Sequence, residues 1–228
     1  MESADYKKLD NPVWHSLNES HKDFAINYGN LKCYKPDVCP FGGYGNGNNN
    51  LEEIASYAKL INNFFIVGNK PLFSNELVLK NELVCLQMIW EGSIAGVEIV
   101  EKIVKLNHEY EDALFGLVNL VQPGYFKNKT SQLGDYYGIF QSGNLVAVAG
   151  ERMKMDDFVE VSAIVTHPEH TGKGYAKQLT AHVVNKILNQ HKKPYLHVAE
   201  TNTGAISLYR KLCFEVRGKI SFWNMIAL

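Results

Sequence analysis

The apolar residues of the C-terminal half recur at two spacings, and each spacing predicts a kind of element. YYGIFQ, LVAVAGERM, FVEVSAIVTH and PYLHVAE are short apolar runs between turn residues, which is typical of strands in a sheet. The SGN between the first two runs predicts a hairpin with a short glycine turn. Residues 172–190 have helical spacing instead. Their apolar face is formed by Ala176, Leu179, Val183, Val184 and Ile187.

The remaining C-terminal patterns complete a mixed sheet. GAISLYRKL predicts a short helix, and FEVRG and ISFWNMIAL predict two closing strands. From residue 136 onward the predicted order is therefore β-β-β-α-β-α-β-β. This order is typical of an α/β fold (α+β mixed sheet) with helices on the faces of the sheet.

The N-terminal half has weaker patterns. Residues 1–50 are mixed and rich in turn residues, and they end in FGGYGNGNNN, which predicts a mobile surface loop. After it, LEEIASYAKLI predicts a helix, and FFIVG and ELVCLQMIW predict buried strands. VEIVEKIVKLN and YEDALFGLVNLV predict two further helices, followed by the polar loop QPGYFKNKTSQLGD.

Composition excludes several classes of protein. The chain has 228 residues, 46% hydrophobic and 21% charged, with a formal net charge of -1, so neither nucleic acid nor a membrane is an expected partner. MESADYKKLDNPVW lacks the apolar core of a signal peptide, and no apolar run is long enough to span a membrane, so we expect a cytoplasmic protein. The oligomeric state stays open.

The cysteines and histidines do not indicate a metal site. Cys33, Cys39, Cys85 and Cys213 have no zinc-ligand spacing, and they predict buried free thiols. The eight histidines are scattered along the chain. We therefore expect no metal.

The segment HPEHTGKGYAKQL, residues 167–179, raises a chemical possibility. It stands between a predicted strand and a predicted helix, and Gly172 and Gly174 would let the backbone approach a ligand. The first turn of a helix has unpaired N–H groups and a positive dipole end, which suit a pyrophosphate. A plain strand-to-helix connection also favours glycine, so the loop alone decides nothing.

Two motifs together carry a family resemblance. VTHPEHTGKGYAKQL resembles the acyl-CoA pyrophosphate motif of the GNAT superfamily of N-acetyltransferases, and ETNTGAISLYRKLCFE is similar to the superfamily's second conserved run. The resemblance covers roughly residues 110–228. It implies the GNAT acyltransferase fold, with a catalytic acetyl-CoA-binding domain at 106–228. Residues 1–105 would form a cap or a degenerate GNAT-like half that binds no second acetyl-CoA.

The resemblance also implies a site and a co-substrate, acetyl-CoA. Free backbone N–H groups of the splayed strand would hold the acetyl carbonyl and the pantetheine arm, and the glycine loop would hold the pyrophosphate. Tyr209 matches the family's general acid, and Asn202 matches a CoA-contacting asparagine. A core tyrosine and a helix N-cap are the alternatives for these two. The implied cofactor-binding residues are Ile164, Val165, Thr166, Thr171, Gly172, Lys173, Gly174, Tyr175, Ala176, Asn202 and Ala205.

Two departures from the family pattern stand out. Thr171 occupies a position where Arg or Gln is usual, so one charge-assisted phosphate contact is lost, although a hydroxyl can still serve a phosphate. Cys213 replaces the usual glycine before Phe214, and we expect it to pack under the second helix.

The general base and the acceptor are less determined. Glu160 shares a strand face with Ser162 and Ile164, and a partly buried carboxylate there would have the raised pKa that a base needs. A solvated strand-end glutamate is the alternative reading, with Glu151 or a water chain as other candidates for the base. The resemblance implies acetyl transfer to a small-molecule or protein amine. An acyl-CoA-binding or regulatory module without turnover is the second hypothesis.

Overall fold

The computed structural model describes residues 5–47, 50–92 and 97–228. Five α-helices and eleven strands are found in these ranges, with five short 3-10 turns between them. The helices are α1 (Pro12–Asn18), α2 (Leu51–Ala58), α3 (Glu111–Val121), α4 (Tyr175–Asn189) and α5 (Thr203–Lys211). The strands are β1 (Ala25–Tyr28), β2 (Leu31–Tyr34), β3 (Phe41–Tyr44), β4 (Asn63–Val67), β5 (Leu77–Trp90), β6 (Ile103–Leu106), β7 (Tyr136–Gln141), β8 (Asn144–Lys154), β9 (Phe158–Thr166), β10 (Lys193–Ala199) and β11 (Phe214–Ala227).

All described strands belong to one mixed sheet. Its order is β1-β2-β3-β4-β11-β5-β10-β9-β8-β7-β6. Only the β3/β4 and β9/β10 pairs are parallel, and the other neighbours are antiparallel. The predicted α/β class with a mixed sheet and flanking helices is therefore confirmed.

The C-terminal elements follow the sequence patterns closely. Ser142 and Gly143 form the predicted hairpin turn with φ of 50° and 83°, which suits a type I′ turn. The predicted apolar face of α4 is buried against the sheet, where Leu179, Val183 and Ile187 are fully covered. The two predicted closing strands are one strand, β11, with a bulge between Val216 and Gly218.

One predicted helix is wrong. VEIVEKIVKLN contains no helix in the structure: residues 97–102 are irregular, and β6 pairs with β7 at the edge of the sheet. The segment is rich in Val and Ile, which favour strands, and the open edge of β7 supplies a partner. Val100 is exposed, so the apparent helical face was not a core face.

The first 50 residues are more ordered than their composition suggested. They contain α1 and three strands, and FGGY is β3 rather than part of a loop. Gly42 is required there because a Cβ atom would lie 2.6 Å from Cys33 Sγ on β2. Of the predicted mobile loop, positions 48 and 49 lie outside the described residues.

The sheet crosses the predicted domain boundary. β11, from the C-terminal part, lies between β4 and β5, and β5 also pairs with β10. Strands from both sides of the 105/106 boundary are hydrogen-bonded within one sheet. The division therefore stays a prediction about what the two parts do.

The cysteines are largely buried, as expected. Cys33, Cys39 and Cys85 are buried thiols, and Cys213 is partly exposed. Cys213 follows α5 with φ of 65°, a left-handed conformation that glycine adopts at lower cost. This conformation explains why glycine is the more usual residue at such a position.

Candidate functional site

The strands β9 and β10 separate in the middle of the sheet. Their parallel pairing is confined to Phe158–Glu160 of β9 and Lys193–Tyr195 of β10. Beyond these residues, β9 continues to Thr166 and β10 to Ala199 without pairing to each other. The splay expected from the sequence is therefore present, and it leaves one edge of β9 open.

A bulge in β9 lies at this open edge. Gly150 of β8 pairs with Ser162, and Val148 pairs with Val165, so β9 has one extra residue between these pairs. Ala163 sits in the bulge with φ of 50°. A bulge bends the strand and redirects its peptide groups. Because successive N–H groups of a strand point to opposite neighbours, only some of those at residues 164–166 are left free by β8.

A cavity of about 330 Å³ fills the space between the two strands. One wall consists of residues 161–165 of β9, and the other of residues 197–199 of β10 together with Asn202 and Tyr209. Aromatic and apolar side chains from other elements close the remaining sides. They include Phe41, Leu83, Val118, Tyr125, Phe126 and Phe222.

The glycine loop lies between β9 and α4, outside this cavity lining. Gly172 and Gly174 have φ of 77° and 78°, and a Cβ atom at either position would meet nothing within 4 Å. Gly174 is the N-cap of α4, and no side chain caps the N–H groups of the first turn. The loop therefore presents unpaired backbone donors to open space, which is the geometry that binds anions at a helix N-terminus.

The side chains of this loop contribute little to such a site. The Thr171 hydroxyl donates to the Pro168 carbonyl at 3.2 Å, so it can serve a phosphate only by leaving this bond. Lys173 Nζ lies 3.4 Å from His170 Nδ1 and is exposed. The Tyr175 ring is buried in the core beneath α4. At Tyr175 and Ala176, the backbone N–H groups are what remains available to bind a phosphate.

Asn202 is the N-cap of α5. Its Oδ1 accepts a hydrogen bond from the Ala205 N–H at 3.1 Å, so this N–H is not free for a ligand. The side chain also lines the cavity. Its NH₂ group makes no hydrogen bond within the described residues. The capping alternative is thus present, and it is compatible with a second contact.

Tyr209 lies on the cavity wall. Its ring packs edge-on against Phe214 with centroids 6.2 Å apart, and its side chain is buried. No group in the described part of the chain hydrogen-bonds its hydroxyl. Burial raises the pKa of the phenol, so it stays protonated at neutral pH and can act only as a donor of a proton.

The expected raised pKa of Glu160 is wrong. Its carboxylate is buried and accepts two hydrogen bonds of 2.8 Å from the Arg152 guanidinium. Burial alone would raise the pKa, but the charge of Arg152 and the hydrogen bonds from Arg152 and His197 outweigh it and lower the pKa to about 2. Neither a solvated strand end nor a poised base describes this group, because it is the centre of a buried ion pair.

His197, which also lines the cavity, extends this ion pair to β10. Its Nδ1 lies 2.8 Å from Glu160, and its Nε2 lies 3.0 Å from Gln87 Nε2. Gln87 Oε1 accepts from Arg217, which fixes its NH₂ group as the donor toward Nε2. The proton of His197 is therefore on Nδ1, directed at Glu160. Both ring nitrogens are occupied, so His197 offers no free base either.

Glu151, the other candidate base, does not line the cavity. Its side chain is fully buried, and one oxygen accepts from Lys154 Nζ at 2.7 Å. The remaining polar side chains of the lining include Arg152, Tyr136 and Ser162, and no carboxylate lines the cavity within the described residues. A water molecule is the one candidate base from the sequence that this geometry leaves.

The Arg152–Glu160–His197 network was missed by sequence reasoning. Each residue interrupts an apolar run: Arg152 in β8, Glu160 in β9 and His197 in β10. A single charged residue inside a buried strand indicates a partner on a neighbouring strand. Which partner it meets depends on sheet register, which no single run contains.

Within residues 5–47, 50–92 and 97–228, no group of three His, Cys, Asp or Glu side chains is placed to hold a metal ion. None of the helices in these ranges has the length and apolarity that a membrane span requires.

Comparisons with known proteins agree with this fold. The family model described as "FR47-like protein" matches residues 136–223. A protein of Novosphingobium aromaticivorans, described as a GNAT-family acetyltransferase, is 28% identical with a TM-score of 0.87, over 96% of this chain and 98% of that chain. No curated protein sequence matches the chain significantly.

More distant structures share the fold along nearly the whole chain. A GCN5-related N-acetyltransferase-like protein from Streptococcus suis is 13% identical with a TM-score of 0.65, covering 95% of this chain and 92% of that one. A GCN5-related N-acetyltransferase from Kribbella flavida is 13% identical with a TM-score of 0.64, covering 94% and 93%. The likeness therefore includes the N-terminal half.

The splayed sheet, the glycine loop at the start of α4 and these matches define one class of protein. These matches support placement of the chain in the GNAT superfamily, and the solved structures named here are described as acetyltransferases or acetyltransferase-like proteins. This supports acyl transfer as its general chemistry.

Proposed function

We propose that the protein transfers an acetyl group from acetyl-CoA to an amine, by direct attack in a ternary complex. The observation that carries this proposal is the separation of β9 and β10, which leaves a cavity between them beside Tyr209. A thioester entering between the strands would lie against the β9 bulge and within the same cavity as the acceptor. Holding both reactants in one cavity makes the attack effectively unimolecular.

Acetyl-CoA would be held mainly by backbone groups. The unpaired N–H groups at the first turn of α4 suit its pyrophosphate, and glycine at 172 and 174 leaves room for it. Asn202 would use its free NH₂ group toward the pantetheine arm. The N–H groups of β9 that face the gap would donate hydrogen bonds to the thioester carbonyl oxygen and stabilise the oxyanion that forms on it.

The proton balance assigns a role to Tyr209. The amine nitrogen attacks the thioester carbon, the C–S bond breaks, and the sulfur leaves with the electron pair. Tyr209 gives its phenolic proton to that sulfur, forming the free thiol. The proton lost by the attacking nitrogen leaves through water, because Glu160 and His197 have no free acceptor position. Water then returns a proton to Tyr209.

The second candidate function is a module that binds acyl-CoA without turnover, and the hydrogen bond made by the Thr171 hydroxyl favours it. This hydroxyl is hydrogen-bonded to the Pro168 carbonyl and carries no positive charge to attract the phosphate. Affinity for acyl-CoA would then depend on backbone groups alone. In that case the protein would bind acetyl-CoA and release no thiol. The N-terminal residues 1–105 would serve as a cap in either case.

Two measurements on one preparation separate these functions. Calorimetry would give the affinity and stoichiometry for acetyl-CoA, and thiol release would be followed with a panel of alkylamines, arylamines and peptide N-termini. We expect one acetyl-CoA per chain and amine-dependent thiol release. Binding without thiol release for any amine would favour the module, and a stoichiometry of two would overturn the role given to the N-terminal half.

A further inference from the structure

The acceptor side of the cavity has an unusual charge balance for an enzyme that acts on amines. Amines with alkyl substituents are ammonium ions at neutral pH, and a site built for them needs a carboxylate close by. No carboxylate lines this cavity in the described part of the chain. Among the described lining residues, Arg152 is the permanently charged one, and it would repel an ammonium ion.

Arg152 is also already neutralised. Its Nε and Nη2 each donate to Glu160 at 2.8 Å, where Glu160 is buried and the Arg152 side chain is 14% exposed. An anionic ligand would place a second negative charge beside this pair with no further cation to balance it. Burying an unbalanced charge is costly, so the cavity suits neither cations nor anions.

Two hydrogen-bond donors are nevertheless unused on this side. Arg152 Nη1 makes no hydrogen bond with any described residue. Tyr136 lines the same cavity, its side chain is 2% exposed, and its hydroxyl is buried with no partner in the described ranges. Buried polar groups without partners are rare in folded proteins and indicate a missing ligand or water. Both groups would donate to an oxygen of a bound molecule.

The rest of this wall is aromatic. The Phe41 ring lies under the Arg152 guanidinium at 4.8 Å from its centroid, and Phe41 and Phe65 both pack against Tyr125. Phe126 packs edge-on against Tyr136 with centroids 5.5 Å apart. A flat apolar body fits between such rings, and about 330 Å³ is at the small end of ligand cavities.

We infer that the acceptor is an uncharged, weakly basic amine with an aromatic body and a carbonyl-type oxygen, the oxygen being held by Arg152 and Tyr136. This inference rests on the proposed acetyl transfer and narrows it to a class of substrate. It also agrees with the lack of a free base, since an amine that arrives unprotonated needs none to begin its attack.

Binding alone tests the charge preference, whether or not the protein turns over. Benzamide, benzoate and benzylammonium share one ring and differ in charge. Titrated into the protein in the presence of CoA and followed by ligand-observed NMR, benzamide should bind at least about 10-fold more tightly than either ion. Tighter binding of benzoate or of benzylammonium would overturn the inference and would leave the proposed acetyl transfer intact.

Turnover tests the oxygen contact. Thiol release would be compared for 4-aminobenzamide, 4-aminobenzoate, 4-(aminomethyl)benzamide and aniline, and we expect the highest kcat/KM for 4-aminobenzamide. In Tyr136→Phe its KM should rise about 10-fold, while that of aniline, which lacks the oxygen, stays within about 2-fold. Tyr44→Phe is the matched control, because Tyr44 also has a buried hydroxyl without a partner and does not line the cavity.

The outcomes are distinct. Thiol release that is faster with the alkylammonium or the benzoate contradicts the inference while supporting acetyl transfer. An equal KM change in both tyrosine variants, or none in Tyr136→Phe, removes the contact to Tyr136. No thiol release with any amine contradicts the proposed function, and the benzamide titration then decides the charge preference by itself.

Discussion

The proposed site has a cofactor end, outside the cavity lining, and an acceptor end, which is the cavity itself, and the two are built from different parts of the chain. The cofactor end is a glycine loop whose N–H groups face open space, and almost all of its expected contacts come from one stretch of backbone. The acceptor end is lined by side chains from β3, β5, β7, β8, β9, β10, β11 and α5 and from the segments around α3. One end can be read from local sequence, and the other exists only when the sheet has formed.

The difference predicts how each end responds to substitution. Changes in the glycine loop, residues 171–174, should affect ligand binding with little effect on folding, because these four residues are exposed and do not pack in the core. Changes in the buried Arg152–Glu160–His197 network should affect folding first, because the network joins three neighbouring strands.

The largest effect is expected at the acceptor end, for Glu160→Gln. The amide keeps the shape of the side chain but removes the buried charge that balances the largely covered Arg152. Removing one partner of a buried ion pair costs about 3–5 kcal/mol of the free energy of unfolding, which urea titration would measure. Adding Arg152→Met should restore part of this loss. A double variant as unstable as the single one would contradict the charge argument.

The next effect concerns pH, through a histidine that joins the N-terminal half to the loop before β7. His21 Nε2 lies 2.9 Å from the Leu133 carbonyl and Nδ1 lies 2.9 Å from the Tyr34 hydroxyl. Burial lowers its pKa from 6.5 to about 4. The unfolded chain therefore binds the proton first, so stability is complete above pH 6.5 and falls as the pH drops toward 4.

The size of this pH effect is on the order of 3 kcal/mol. In His21→Gln the free energy of unfolding should be lower at pH 7, and its decline over this window should be shallower. Glu160 acts in a lower window: its contribution is complete above its ordinary pKa of 4.5 and is lost as the pH falls toward about 2. If the free energy of unfolding falls with pH at the same slope in wild type and in His21→Gln, His21 does not cause the pH dependence.

At the cofactor end, Gly174→Asp should weaken acetyl-CoA binding at least about 10-fold. The new carboxylate would face the pyrophosphate at the positive end of α4. Gly143→Asp is the matched control, because its φ of 83° is close to the 78° of Gly174 and both positions have open space around them. Calorimetry and melting curves on both variants would show whether binding changes apart from stability. Equal affinity in both would make residues 171–176 a plain connection.

The sequence predicted most of the C-terminal half because its signals are local. The face of α4, the hairpin turn at Ser142–Gly143 and the end of β9 at Pro168 each depend on a few adjacent residues. The splay between β9 and β10 was expected from the family resemblance, and Tyr209 and Asn202 do lie on its cavity. Their roles remain proposals.

The failures have a common physical cause, which is pairing between distant segments. β6 was predicted as a helix because its partner β7 lies more than 30 residues further along the chain. FGGY was predicted as a loop because its glycines are explained only by distant neighbours, Cys33 on β2 for Gly42 and the start of α1 for Gly43. Glu160 was predicted to have a raised pKa because Arg152 and His197 reach it through sheet register and not through sequence proximity.

Tyr209 lies on the wall of the cavity in which we propose that the thioester is cleaved, so it tests the central claim most directly. The measurement is kcat for amine-dependent thiol release by Tyr209→Phe, beside acetyl-CoA affinity and the melting temperature. We expect kcat to fall by about 10-fold or more, with affinity within a few-fold and melting unchanged, since no described group hydrogen-bonds the hydroxyl. Tyr57→Phe is the control, because its hydroxyl donates to the Tyr34 carbonyl at 2.9 Å in a separate core.

The control should show the opposite behaviour, a loss of about 1 kcal/mol in stability with normal kcat. If Tyr209→Phe instead lowers the melting temperature and leaves kcat unchanged, Tyr209 is a core residue. Water would then be the proton donor, and the cavity between β9 and β10 would lose its assigned role as the place where the thioester is cleaved.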